Sequence, residues 1–245
     1  MIDHKFDKLY IYCLMRKTSL RQLSLNFERR KRRRLRRRRV ASNGVPHRGR
    51  PEHKGRYPVH VTLRGARGVP SLREQVIFFE MRRALGQTAR AWLRVVHFSV
   101  QSNHVHLLVE ADDRVSLMRG VMGVAIRMAR AVNRVLERRG KVWSDRYHAR
   151  ALKTPREVRN GIIYVLMNEQ KHASKAVGLD PCSSASLFDG WKVPPSLAPP
   201  RKSIENNPVE PPTTWLLRSG WKRHGLIDPT SDPSIRADGP WRPGG

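Results

Sequence analysis

A His-x-His pair set in an apolar run, Asn103-His104-Val105-His106-Leu107-Leu108, constrains this chain more than any other feature. Side chains alternate across a strand, so His104 and His106 project from one face while Val105, Leu107 and Val109 take the other. Two imidazoles side by side are half of a metal site. Further along, Tyr164-Val165-Leu166-Met167-Asn168 reads as helix. Residues four apart share a helical face, so Tyr164 and Asn168 bring a hydroxyl and a carbonyl oxygen toward the same metal. The combination points to phosphoryl transfer to tyrosine.

Charge narrows the substrate. With 49 Lys+Arg against 20 Asp+Glu, the formal net charge is +29 and the sequence pI about 11.5, which favours a polyanionic partner, nucleic acid first. A basic membrane-binding protein needs an anchor or span, and the apolar run Leu9 to Met15, seven residues, is too short for either or for a signal sequence. Only Cys13 and Cys182 are present, without zinc-finger spacing or a disulfide framework. The expectation is a reducing cytoplasm, association with the nucleoid and no membrane partner.

The chain divides unevenly. Ten of the eleven residues from Arg29 to Arg39 are Lys or Arg, and Gly, Pro and Arg continue to Arg56, so residues 1–57 read as a disordered basic arm. Eleven of the seventeen prolines fall between Pro194 and Pro243, which marks residues 177–245 as a Pro-rich extended tail interrupted by Trp215-Leu216-Leu217 and Trp221. One compact domain remains, residues 58–176. An arginine-rich arm contacts phosphates without reading bases. Trp143, Trp215 and Trp221 are candidates for stacking on unpaired bases, with docking of Trp215, Leu216 and Leu217 onto the domain the favoured alternative.

Punctuation within the domain is legible. Pro58 to Arg64 alternates, with Val59, Val61 and Leu63 opposite His60, Thr62 and Arg64, and reads as a half-buried strand. Ser71 and Glu74 form a capping-box pattern ahead of Leu72, Val76 and Phe79 at helical spacing, with Gly86 as a stop. Trp92 to Val100 and Asn103 to Glu110 are strands of a hairpin joined by Gln101-Ser102. Leu117, Val121, Val124, Met128, Val132 and Val135 mark a long helix ended by Gly140. Arg146 to Lys153 is a further strand, and Thr154-Pro155-Arg156-Glu157 opens a last helix with an N-cap, a first-turn proline and a capping-box glutamate. This order implies an α+β fold, an antiparallel sheet with helices on one face.

The tyrosine is chosen by face. Val158, Ile162, Val165 and Leu166 form an apolar arc on the last helix, while Glu157, Asn160, Tyr164, Asn168 and Lys171 gather opposite. Tyr147 is the rival nucleophile, but alternation sets it with Ala149 and Ala151, away from His148 and Arg150. Tyr164 is therefore the candidate.

Asn103 to Val109, Asp145-Arg146-Tyr147-His148-Ala149-Arg150 and Tyr164 to Asn168, in this order and spacing, resemble the single-tyrosine HUH transposases, especially the REP-associated tyrosine transposases. The likeness covers about residues 58 to 175 and leaves out arm and tail. In two places the sequence departs from the family pattern: Gln101-Ser102 stands where Met-Pro often precedes the first motif, and Glu169-Gln170-Lys171 replaces the usual Pro-Val-Arg. The resemblance implies a ferredoxin-like domain that cuts and joins single-stranded or hairpin DNA through a 5′-phosphotyrosine, as a monomer or homodimer. It also implies His104, His106 and Asn168 as ligands of one divalent ion, Mg²⁺ or Mn²⁺, with Tyr164 as nucleophile. His60, Arg64, His148, Arg150 and Lys171 are candidate DNA contacts around that centre. A different class stays open at this stage, a basic nucleic-acid-binding protein that has lost strand cleavage.

Overall fold

The computed structural model describes residues 51–87, 92–168, 178–192 and 207–229. The basic run at 29–39, Lys171 and the prolines at 194–200 lie outside the described residues. Strand β1 (Val59–Arg64) is followed by helix α1 (Gln75–Gly86), the hairpin β2 (Arg94–Val100) and β3 (His104–Glu110), helix α2 (Arg114–Val135), strand β4 (His148–Ala151) and helix α3 (Pro155–Leu166). The sheet order is β2-β3-β1-β4 and every neighbouring pair is antiparallel. The fold is α+β, as the order of elements predicts, and ferredoxin-like, as the resemblance implies. Among the described residues no helix is long and apolar enough to cross a membrane.

Both faces of the sheet are covered. Val59, Val61 and Leu63 of β1 and Val105, Leu107 and Val109 of β3 face α1 and α2, where Ile77, Met81, Leu117, Val121, Val124 and Met128 complete the first core. The expected helix cover on one face describes α1 and α2 alone. The third helix packs on the opposite face, with Val158, Ile162, Val165 and Leu166 against Val96, Leu108 and Leu152. An apolar arc must be buried somewhere, and the first face is already full. This second cover explains why His60 and His106, on the polar side of their strands, are 1% and 2% exposed.

Helix α1 departs from its sequence pattern. Ser71 and Glu74 form no capping box: Ser71 Oγ accepts from the Arg73 amide at 3.3 Å, and the helix begins at Gln75. Arg73 instead forks onto the Asp180 carboxylate, Nη2 to Oδ1 at 2.8 Å and Nη1 to Oδ2 at 3.2 Å, and donates to the Val100 carbonyl. That pair holds residues 71–74 in a turn. The inward face is therefore Ile77, Met81 and Leu85, while Val76 and Phe79 lie outside. Helix α2 keeps its predicted stripe, and Asp113 caps it by accepting from the Ser116 amide at 2.8 Å. The Thr154 capping box of α3 forms as predicted.

Residues 180–191 and 208–227 extend the second core. Phe188, Trp191, Leu216, Leu217 and Trp221 are buried against α3 and one another. The buried Glu110 carboxylate anchors this segment, accepting from the amides and hydroxyls of Thr213 and Thr214 at 2.7–2.9 Å. Leu216 and Leu217 dock, whereas Trp215 stays 46% exposed beneath the Arg223 guanidinium. Trp143 and Trp221 are core residues, the indole of Trp143 donating to the Ala125 carbonyl and that of Trp221 to the Leu217 carbonyl, so neither stacks on bases.

Candidate active site

Antiparallel register builds the site as rungs across the sheet. Ser99, His106, Thr62 and His148 align through β2, β3, β1 and β4, and His97, Leu108, His60 and Arg150 align two residues along each strand. Arg64 stands opposite His104 at the exposed end of β1. His104 and His106 share a face as alternation requires, with ring centroids 4.6 Å apart and planes at 84°. His60 stacks on His106, centroids 5.1 Å apart, and its Nε2 lies 3.1 Å from His106 Nδ1. Thr62 Oγ1 approaches the same Nδ1 at 3.3 Å. His104 donates from Nδ1 to Asn103 Oδ1.

Helix α3 delivers the tyrosine to these rings. Its start is fixed by Glu157, which accepts from the amides of Lys153 and Thr154 at 2.7 and 3.1 Å and pairs with Arg150 at 3.0 Å. Its approach is set by Gly161, where a Cβ would come within 2.8 Å of Leu152 Cδ1 and 3.6 Å of Leu108 Cδ2. One turn on, the Tyr164 ring stands edge-on to His106 at 5.0 Å and to His60 at 5.6 Å. Tyr147, by contrast, is buried in the core beneath α1 and α2, on the far side of the sheet.

Asn168 lies just beyond the helix rather than on its last turn. The Met167 amide still bonds the Ile163 carbonyl at 2.9 Å, but Met167 has left helical geometry, with ψ 15°. Asn168 is 2% exposed and its amide Nδ2 makes no hydrogen bond. An unpaired buried amide group costs about 1–3 kcal/mol. The two ends of an amide are assigned by their partners, so the same position serves a carbonyl oxygen equally. Among the described residues no group of three or more His, Cys, Asp or Glu is arranged to hold an ion. The donors chosen from the sequence are the imidazoles of His104 and His106, each with a neighbour's polar atom at Nδ1, and the buried amide of Asn168.

The other sequence-chosen residues divide. His60 lies beneath the Tyr164 ring, too buried to meet a phosphate. Arg150 is spent on Glu157. Arg64 and His148 remain at the rim, Arg64 exposed and His148 partly so. Sequence reasoning missed Thr62, Asn103 as a partner of His104, and Gly161. Thr62 shares its alternation face with His60, but the strand register that sets it beside His106 is a tertiary fact.

Burial raises the Tyr164 phenol above its ordinary value of 10.0, so it is protonated at neutral pH. Burial first, then the nearby His148, Arg150 and His104, lowers His60 from 6.5 to about 3. Its neutral form belongs to the fold and its charged form to the unfolded chain. That contribution is complete above pH 6.5 and is lost as pH falls toward 3. Over this window it has a slope of about 1.4 kcal/mol per pH unit. Thermal melts between pH 7 and 4 should show the parent losing stability more steeply than His60→Gln. Parallel curves would refute it.

Residues 60–160 match the family model described as "Transposase IS200 like". Among solved structures, one described as "Structure of the REP associates tyrosine transposase bound to a REP hairpin" is similar at 17% identity and a TM-score of 0.43, over 57% of this chain and 82% of that one. No curated protein matches the sequence.

Proposed function

We propose, from the premise that this chain carries an IS200-like transposase domain over residues 60–160, that it cuts and rejoins single-stranded DNA through a 5′-phosphotyrosine on Tyr164. The observation that carries this reading is the Tyr164 ring seated against His106 within one chain. The family match includes both histidines and stops short of the tyrosine, so Tyr164 and Asn168 rest on their placement in the fold. His104, His106 and Asn168 would hold one Mg²⁺ or Mn²⁺, which supplies Lewis acidity and neutralises charge on the phosphate.

Every other part is the chain's own. Helix α3 holds Tyr164 at the sheet, and Arg64, His148 and the surrounding positive charge hold the strand by its phosphates. The phenol loses its proton as Oη bonds to phosphorus, the bond from phosphorus to the 3′-oxygen breaks, and that oxygen ends protonated as a free 3′-hydroxyl. Reversal by a second 3′-hydroxyl rejoins strands without ATP, because the phosphodiester energy stays in the tyrosine ester.

His104→Ala should lose cleavage of single-stranded oligonucleotides in titrated manganese while keeping most of its DNA affinity, which comes from dispersed positive charge. A denaturing gel and a filter-binding curve read the two quantities. Cleavage by the variant at the parental rate would remove the metal assignment. A parent protein that binds and never cuts would leave a basic nucleic-acid-binding protein in its place.

A further inference from the structure

His60 is buried at 1% exposure in the middle of the sheet, with its Nε2 3.1 Å from His106 Nδ1. Thr62 Oγ1 lies 3.3 Å from that same nitrogen, and the Tyr164 ring closes edge-on over both imidazoles. Resting on the metal-assisted reading above, we propose that His60 is a positioning residue: with Thr62 it engages His106 Nδ1 and so dedicates the Nε2 of that ring to the divalent ion.

A neutral imidazole carries one ring proton. To ligate through Nε2 it must carry that proton on Nδ1, and in a buried site the Nδ1–H needs an acceptor. His60 Nε2, in the tautomer that carries its proton on Nδ1, offers a lone pair at hydrogen-bond distance, and the Thr62 hydroxyl oxygen offers a second acceptor. Flipping the His106 ring would put a carbon where Nδ1 meets His60, forfeiting both contacts. His104 is arranged in parallel, its Nδ1 engaged by Asn103 Oδ1. Each imidazole of the pair therefore has a neighbour fixing its tautomer. For His106 that neighbour comes from another strand, forty-six residues away in sequence.

His60→Phe keeps a ring under Tyr164 and removes the acceptor, whereas His60→Gln restores an amide oxygen within reach of the same place. The full chain is titrated with cobalt(II), followed by its visible d–d absorption. The Phe variant should bind cobalt about 10- to 100-fold more weakly, the usual scale for losing a partner of a ligating histidine. The Gln variant should recover most of that loss, and both should bind single-stranded DNA like the parent. Nitrogen-15 spectra should show His106 as the Nδ1–H tautomer in the parent and as a mixture in His60→Phe. Parental cobalt affinity together with an unchanged tautomer in His60→Phe overturns the positioning role and leaves a space-filling ring. Should His60→Phe fail to fold, Thr62→Val carries the test: several-fold weaker cobalt binding is expected, and parental binding overturns the proposal. His106→Ala separates the two levels. If it binds cobalt like the parent, the metal reading itself fails; if it loses cobalt while His60→Phe does not, only the positioning role falls.

Discussion

Tyr164→Phe is expected to bind single-stranded DNA and divalent metal at the parent's affinity and to form no covalent adduct. The ring that stands on His106 and His60 is kept, so packing survives, and the oxygen proposed to attack phosphorus is gone. Tyr147 offers no substitute, being buried under the opposite face of the sheet. Cleavage should fall by at least about 10⁴-fold, a scale in keeping with the loss of a covalent nucleophile. Strands labelled at the 5′ or 3′ end and run in parallel decide it: the 3′-labelled fragment becomes protein-linked with the parent and stays uncut with the variant. Persistence of parental cleavage would mean that water attacks directly, and the protein would be a metal nuclease.

Trp221→Ala is the largest expected loss of stability, about 3–5 kcal/mol against the 5–15 kcal/mol that holds a typical domain. Trp221 is 1% exposed, stands 5.5 Å from the Phe188 ring, and donates from its indole to the Leu217 carbonyl. It also belongs to the cluster that buries α3. The variant should therefore unfold at much lower denaturant and, where still folded, cut DNA more slowly while keeping its imidazole pair, which sits on strands packed from the other side. Denaturation by urea and cobalt titration of the folded variant measure the two effects. A loss of stability under about 1 kcal/mol, from the urea midpoint and its m-value, would show that the segment 208–227 does not brace the helix.

Local rules recovered much of this molecule. Alternation set His104 and His106 on one face, the arc from Val158 to Leu166 turned Tyr164 toward them, and the same parity put Tyr147 in the opposite core. Thr154 and Glu157 capped α3 as their spacing required. Where sequence reading failed, a distant partner had intervened. Asp180 captured Arg73 and delayed α1, so Val76 and Phe79 are exposed rather than buried. His60 reads as a polar residue on an open face because nothing in residues 58–64 reveals that α3 covers it. Trp143 and Trp221 look like bases' partners in a proline-rich or basic context and are core residues, since only the folded chain brings Ala125 and Leu217 to their indoles. Thr62 and Asn103 needed the cross-strand register and a rotamer.

The bracing of α3 by residues 208–227 has a consequence for how the protein is made. Strands β1 to β4 and helices α1 and α2 are complete once Ala151 has left the ribosome, and domains gather from their N-terminal part during synthesis. At that moment the imidazoles already have their sheet. Helix α3 emerges next onto Val96, Leu108 and Leu152, and its cover is complete only when Phe188 and Trp191 and then Leu216, Leu217 and Trp221 follow. Translation thus separates the two halves of the candidate site in time, imidazoles first and the tyrosine last, so a nascent chain still on the ribosome carries the proposed metal-binding half before the proposed nucleophile.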